Sequence, residues 1–127
     1  MNTSEYMYSC MAINTASDRM ILEPTRFEWD TAKDLENRRK HGVAFGLAQF
    51  AFADPKRVIA KDLLHSETEE RFYCFGKVEQ GVLTVRFTHR NKVIRIIGAG
   101  YWRKGKAVYE QENQIHHRKY RPDQNRG

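Results

Sequence analysis

Between Pro55 and Gly100 the chain is a succession of strand-length segments, two of whose joints are very tight turns. Apolar and polar residues alternate through 57–63, 71–78, 83–88 and 93–99, the signature of strands with two unlike faces. Glu79-Gln80-Gly81 separates the second segment from the third, and Arg90-Asn91-Lys92 the third from the fourth. Connections this short join antiparallel neighbours, because parallel strands need a crossover of a dozen residues or more. The pattern predicts an antiparallel meander.

Helical signals flank it. Phe27-Glu28-Trp29 is a short alternating strand, followed by Asp30, whose carboxylate can accept the exposed amides of a first helical turn. The helix runs from Thr31 to about Lys40, and Gly42 supplies the left-handed residue that closes it, with Val43 folding back. Arg38, Arg39 and Lys40 fall where cations favour the helix dipole, so their placement has a structural reason of its own. Phe45, Ala48 and Phe52 recur at helical spacing, widened by Leu47 and Phe50, until Asp54-Pro55 ends the segment. A third, polar helix is predicted over 104–115, with Gly105 weakening its first turn. The expected class is α+β: an antiparallel β-meander of about four to five strands, two N-terminal helices packed on one face, and a C-terminal helix. Residues 1–26 are expected to be a loose extension with one short helix over 17–22, residues 27–115 the domain, and residues 116–127 a basic tail that frays.

The 127 residues carry a net charge of +6, unevenly spread. The first 26 hold Glu5, Asp18 and Glu23 against Arg19 and Arg26, for −1, so the remainder carries +7. Such a domain is attracted to polyanions, since each phosphate it neutralises releases condensed counterions. No run approaches the roughly 18 apolar residues of a membrane span, and no secretory leader is evident. Cys10 and Cys74 lack metal-binding or disulfide-scaffold spacing. A cytoplasmic protein without metal or cofactor is expected.

Parity sorts the strands onto two faces. Phe72, Cys74, Val85, Phe87, Ile94 and Ile96 share one. If helices cover that side, the other collects Arg71, Tyr73, Thr84, Arg86, Thr88 and Arg95. This face is cationic with interleaved hydroxyl and aromatic groups, suited to phosphate contacts and base stacking on single-stranded RNA. The structural alternative is that the arginines pair with Glu67, Glu69, Glu70 or Glu79. One inserted residue would reverse the parity beyond it.

RNA can be cut without metal when its 2′-hydroxyl attacks the adjacent phosphorus. The protein then supplies a base, an acid and positive charge. Arginine's fork matches phosphate oxygens, and histidine titrates near neutrality. His65 opens the densest ionisable cluster, with Glu67, Glu69, Glu70 and Arg71; His41 ends a helix beside Gly42, where capping alone accounts for it. His89 sits at a hairpin rim, and His116 and His117 fall in the tail. Arg71, Arg86 and Arg95 are the candidate phosphate groups, His65 or His41 the proton carrier, and Glu70 its orienting acid. Lys40, Tyr73, Arg86, Thr88 and Arg103 are candidate RNA contacts.

Four strings occur in order: Phe27-Glu28-Trp29-Asp30, Arg39-Lys40-His41-Gly42-Val43, His65-Ser66-Glu67-Thr68-Glu69-Glu70-Arg71-Phe72, and Thr88-His89-Arg90-Asn91-Lys92-Val93-Ile94-Arg95-Ile96-Ile97. Together they resemble the BrnT family of bacterial toxins over residues 27–113. The resemblance implies a RelE-like fold and a ribonuclease toxin of a type II toxin–antitoxin pair. It would cleave RNA, slow translation and be held inactive by a BrnA-like ribbon-helix-helix antitoxin, reaching DNA only through that partner. Relatives close the last string with Arg-Ile-Ile-Ser-Ala-Arg; here Gly98-Ala99-Gly100 replaces the final three, so the terminal arginine is absent. Tyr101, Trp102, Arg103 or Lys104 could substitute from the following turn. That departure motivates an alternative in which the fold binds antitoxin or RNA without cutting.

Overall fold

Alternation, caps and turns produce the expected elements. The computed structural model describes residues 11–13, 26–65 and 69–119. Strand β1 (Met11–Ile13) is followed by β2 (Arg26–Trp29), which turns Phe27 and Trp29 inward. Helix α1 (Thr31–His41) starts where Asp30 accepts the Lys33 amide at 3.1 Å. It stops where Gly42, at φ 69°, donates its amide to the Arg38 carbonyl. Helix α2 (Phe45–Ala48) passes into a 3-10 turn (Gln49–Ala53). Strands β3 (Val58–Asp62), β4 (Arg71–Val78), β5 (Gly81–Arg90) and β6 (Val93–Gly100) then lead to helix α3 (Arg103–Lys119).

The four strands β3 to β6 form the antiparallel meander, within a six-stranded sheet of order β1-β3-β4-β5-β6-β2. Asn91 and Lys92 both adopt positive φ, the geometry that lets a two-residue hairpin follow the strands' twist. Two pairings were not expected. Strand β2 runs parallel to β6, from Arg26 opposite Val93 to Trp29 opposite Ile96. Within the stretch read as a loose extension, Met11–Ile13 pair antiparallel with β3. The short helix expected over 17–22 lies outside the described residues, as do residues 120–127 of the tail; α3 runs past its expected end at 115.

One face of the sheet carries the larger core, with Phe45, Ala48, Ala51, Phe52, Phe72, Cys74, Val85, Phe87, Ile94 and Ile96 buried between strands and α2. Phe50, expected to widen that stripe, is 57 % exposed, while Ala51 is buried. The 3-10 turn explains the exchange: at three residues per turn, Ala48 and Ala51 align. The buried side of α1 is polar. Asn37 donates to the Val43 and Ala99 carbonyls at 2.9 Å and accepts the Ala99 amide, serving β6 as a strand partner beyond the end of β2. Asp34 accepts the Phe45 amide at 2.8 Å.

The other face is not bare, which corrects the expectation of an uncovered surface. Helix α3 lies on its middle, enclosing Val58, Ala60, Tyr73, Phe75, Val82 and Tyr109. Gly105 permits this: a Cβ there would stand 1.9 Å from Thr84 Oγ1 and 3.1 Å from the Phe75 ring. Tyr109 donates to Asp54 Oδ2 at 2.6 Å, and Asn113 to the Lys56 carbonyl, fastening the helix to the turn before β3. Among the described residues, no helix is long and apolar enough to cross a membrane.

Candidate active site

Register places the site. Arg71 stands opposite Thr88, Thr88 opposite Arg95, and Arg95 opposite Glu28. The pairing of Lys61 with Phe72 makes Asp62 and Arg71 the next opposed pair. One row, Asp62-Arg71-Thr88-Arg95-Glu28, therefore crosses five strands, with directly opposed Cβ atoms about 5 Å apart. It lies at the end of the sheet where β3 and β5 finish and β4, β6 and β2 begin. A bulge separates this row from the rest of β6, since Arg86 faces Gly98 while Phe87 faces Ile96, leaving Ile97 extra. Parity as read from sequence survives through Ile96 because the inserted residue comes after it.

Thr84 and Tyr73 leave the expected RNA face. Thr84 is fully buried, and Tyr73 is 1 % exposed with its ring stacked on Phe75, so that ring is part of the second core. Arg86, one row nearer α3, is half-buried. Arg71 and Thr88 are also half-buried, whereas Arg95 is exposed and its Nη1 lies 3.0 Å from Glu28 Oε2. Beside this row opens a cleft of about 710 Å³, lined by Arg26, Arg90 and Arg95 together with Glu28, Glu69, Glu70 and Thr88. Its charge is mixed, not uniformly cationic. An exposed pair such as Arg95–Glu28 is worth only about 0–1 kcal/mol, so a bound phosphate can displace the carboxylate.

His65 follows β3 at the same end of the sheet. Its Nδ1 is 3.0 Å from Asp62 Oδ2, while Asp62 Oδ1 accepts the Leu64 and His65 amides at 3.1 and 3.2 Å. The expected orienting acid is thus displaced: Glu70 accepts from Lys61 Nζ at 2.7 Å, and the carboxylate on His65 is that of Asp62. Sequence reasoning missed Asp62. The available signal was an Asp three residues before a His at a strand end, where its side chain can cap the turn.

His89, left undecided by the sequence, also lines the cleft. It opposes Ile94 on the side of the larger core, and its Nε2 is buried with no hydrogen bond in the structure. Burial holds its pKa below the ordinary imidazole value.

The remaining candidates lie elsewhere. His41 packs edge-on against Trp102, ring centres 5.1 Å apart, just past the far end of β6. Lys40 stands 3.7 Å from Glu36, and Arg103 begins α3. Five residues of strand, about 15 Å, separate Gly100 from Arg95. His41, Lys40 and Arg103 are consequently not brought together with Arg71, Thr88 and Arg95. Position 100 itself belongs to the far end: a Cβ there would meet the Trp102 indole at 2.5 Å. Among the described residues, no group of three or more His, Cys, Asp or Glu side chains is placed to hold a metal ion.

A search of curated proteins returned no match. One family profile, described as the ribonuclease toxin BrnT of type II toxin–antitoxin systems, matches residues 29–105. That span takes in both N-terminal helices, the whole meander and the Arg71-Thr88-Arg95 row, so this chain belongs to the BrnT ribonuclease toxin family.

Proposed function

We propose that the chain is a metal-independent endoribonuclease that cuts RNA in the cytoplasm, lowers translation, and is neutralised by a BrnA-like ribbon-helix-helix antitoxin. The observation that carries this reading is the row Arg71-Thr88-Arg95, which aligns two guanidinium groups and a hydroxyl across adjacent strands beside an open cleft. Arg71 and Arg95 would grip the phosphate and stabilise charge as the phosphorus becomes five-coordinate; Thr88 would donate between them. His65 would take the proton from the 2′-hydroxyl through Nε2. The new bond joins the 2′-oxygen to phosphorus, the bond to the 5′-oxygen breaks, and a proton from imidazolium or water completes the leaving hydroxyl. No step calls for a metal.

Gly100 motivated a reading without catalysis. Its place at the other end of β6, beneath Trp102, leaves the Arg71-Thr88-Arg95 row untouched by that departure. Contact with operator DNA would come through the antitoxin.

The experiment is incubation of the purified full chain with RNA in the presence of a chelator, with mapping of the new ends. Cleavage leaving 5′-hydroxyl and cyclic or 3′-phosphate ends is expected, with loss of cleavage when antitoxin is added. Intact RNA at high concentrations of folded protein would reject the proposal.

A further inference from the structure

Asp62 is 1 % exposed, yet its carboxylate holds the turn through Leu64 and His65 that follows β3. The Leu64 and His65 amides donate to Oδ1 of its carboxylate, and His65 Nδ1 lies against Oδ2. The two amides can only donate, so Oδ1 is committed as an acceptor. An ionised carboxylate is acceptor-only, so Oδ2 complements the imidazole by accepting a hydrogen bond from Nδ1–H. A neutral ring held this way carries its lone pair on Nε2. The His65 side chain keeps 40 % of its surface exposed, so the ring is anchored on one edge and accessible on the other.

Asp62 also takes part in the row described above, since its backbone register sets it opposite Arg71. The residue that fixes the histidine and the residue that would hold the phosphate are therefore cross-strand neighbours on the same two strands, β3 and β4. A displacement of one strand end would move both.

We infer that Asp62 is a positioning residue: it fixes the His65 tautomer and ring angle so that Nε2 is the nitrogen presented to the RNA. Resting on the nuclease reading for its consequence, this assignment adds a residue that acts on the reaction by holding His65. A carboxylate that only closed the turn would need the two amide contacts and nothing on the ring.

The test compares the full chain with Asp62→Asn, which keeps the shape and one acceptor oxygen for the amides while placing an NH₂ against Nδ1. Nitrogen-15 shifts of the His65 ring, recorded well above the ordinary imidazole pKa, report the tautomer directly. In the unmodified protein the Nδ1–H form is expected to dominate, and in Asp62→Asn the Nε2–H form should gain. In parallel, kcat for RNA cleavage is expected to fall about 100-fold with KM within roughly twofold, as for groups that orient a reactive histidine. A dominant Nε2–H tautomer in the unmodified chain, or an Asp62→Asn protein with unaltered tautomer and kcat, would overturn the assignment. The unmodified chain's tautomer needs no variant, so a variant that fails to fold does not remove the test. If the unmodified chain cuts no RNA, the nuclease reading fails, while the ring shifts still decide whether Asp62 fixes His65.

Discussion

The two ends of the sheet hold similar residues and use them differently. At one end Arg95 lines an open cleft, Arg71 lies two strands away in the same row, and His65 is anchored by a buried carboxylate. At the other, His41 ends α1 after Lys40, Arg103 begins α3, and the histidine's described contact is the edge of the Trp102 indole. A histidine among cations is common to both. What separates them is an acceptor that fixes the ring and a register that lines up guanidinium groups on adjacent strands.

The largest expected effect breaks this comparison outright. Arg71→Ala removes one phosphate donor from the row and should lower kcat/KM for RNA cleavage by about 10²–10³, the loss typical of a single transition-state donor. His41→Ala should leave it within about twofold. Both are read in one cleavage assay, with thermal melts confirming that each variant folds. Comparable losses would mean that the two ends act as one site.

A second contrast concerns the covered and open parts of the same face. Gly105→Val puts a branched side chain where a single Cβ already stands 1.9 Å from Thr84 Oγ1, with β5 behind it. Overpacking of this kind costs about 1–3 kcal/mol or more, and should show as a lowered denaturation midpoint. Thr88→Val, on the open row, should change stability far less while reducing cleavage.

Much of the fold could be read from local signals, because local signals determine it. The Asp30 cap, Gly42 and the two hairpin turns act within a few residues, and the meander follows from them. What escaped depended on distant partners. Nothing in Phe27-Glu28-Trp29 states that β2 will lie parallel to β6. Gly105 reads as a helix weakener until Thr84 and Phe75 lie beneath it, and Tyr73 reads as an exposed aromatic until α3 covers it. The arginine row was legible because side-chain parity is a short-range property. Asp62 was not, because an acidic residue ending an alternating segment looks like surface until its burial and its contact with His65 are known.

Helix α3 is held over the covered half by Tyr109 and Asp54, and the pair gives that half a pH signature. Partial burial pushes the Asp54 carboxyl up, but the Tyr109 hydroxyl and the Lys77 and Lys56 amides outweigh it, leaving the pKa below the ordinary value. Burial and the same hydrogen bond hold the Tyr109 hydroxyl well above its ordinary value. A depressed carboxyl contributes stability that is present above about pH 4 and lost as pH falls through the folded-state value. A raised phenol contributes stability that is complete below about pH 10 and lost as pH rises above it. Tyr109→Phe should therefore cost about 1–2 kcal/mol between those limits, and its deficit against the unmodified chain should shrink toward both extremes. Denaturant titrations at acidic, neutral and alkaline pH measure this. A deficit independent of pH would show that the hydroxyl contributes packing alone.

The smallest effect sharpens the view of the open end. Glu28 ends the row beside Arg95, and its ion pair with Arg95 is half-exposed on both sides. Breaking such a pair costs at most about 1 kcal/mol of stability, so Glu28→Gln should fold normally. Without the carboxylate, Arg95 meets a phosphate with no competitor, and repulsion between Glu28 and the RNA backbone is removed. RNA affinity should rise by up to about fivefold at low salt, which corresponds to roughly 1 kcal/mol, and the gain should diminish as salt screens the exposed charges. The counterpart at the far end, Glu36→Gln, relieves Arg39 and Lys40 of their acidic neighbour without exposing a phosphate site. Binding of a non-cleavable RNA analogue across a salt series distinguishes the two. An equal gain from both substitutions would mean that RNA responds only to net charge, and that the Arg71-Thr88-Arg95 row has no privileged place in binding.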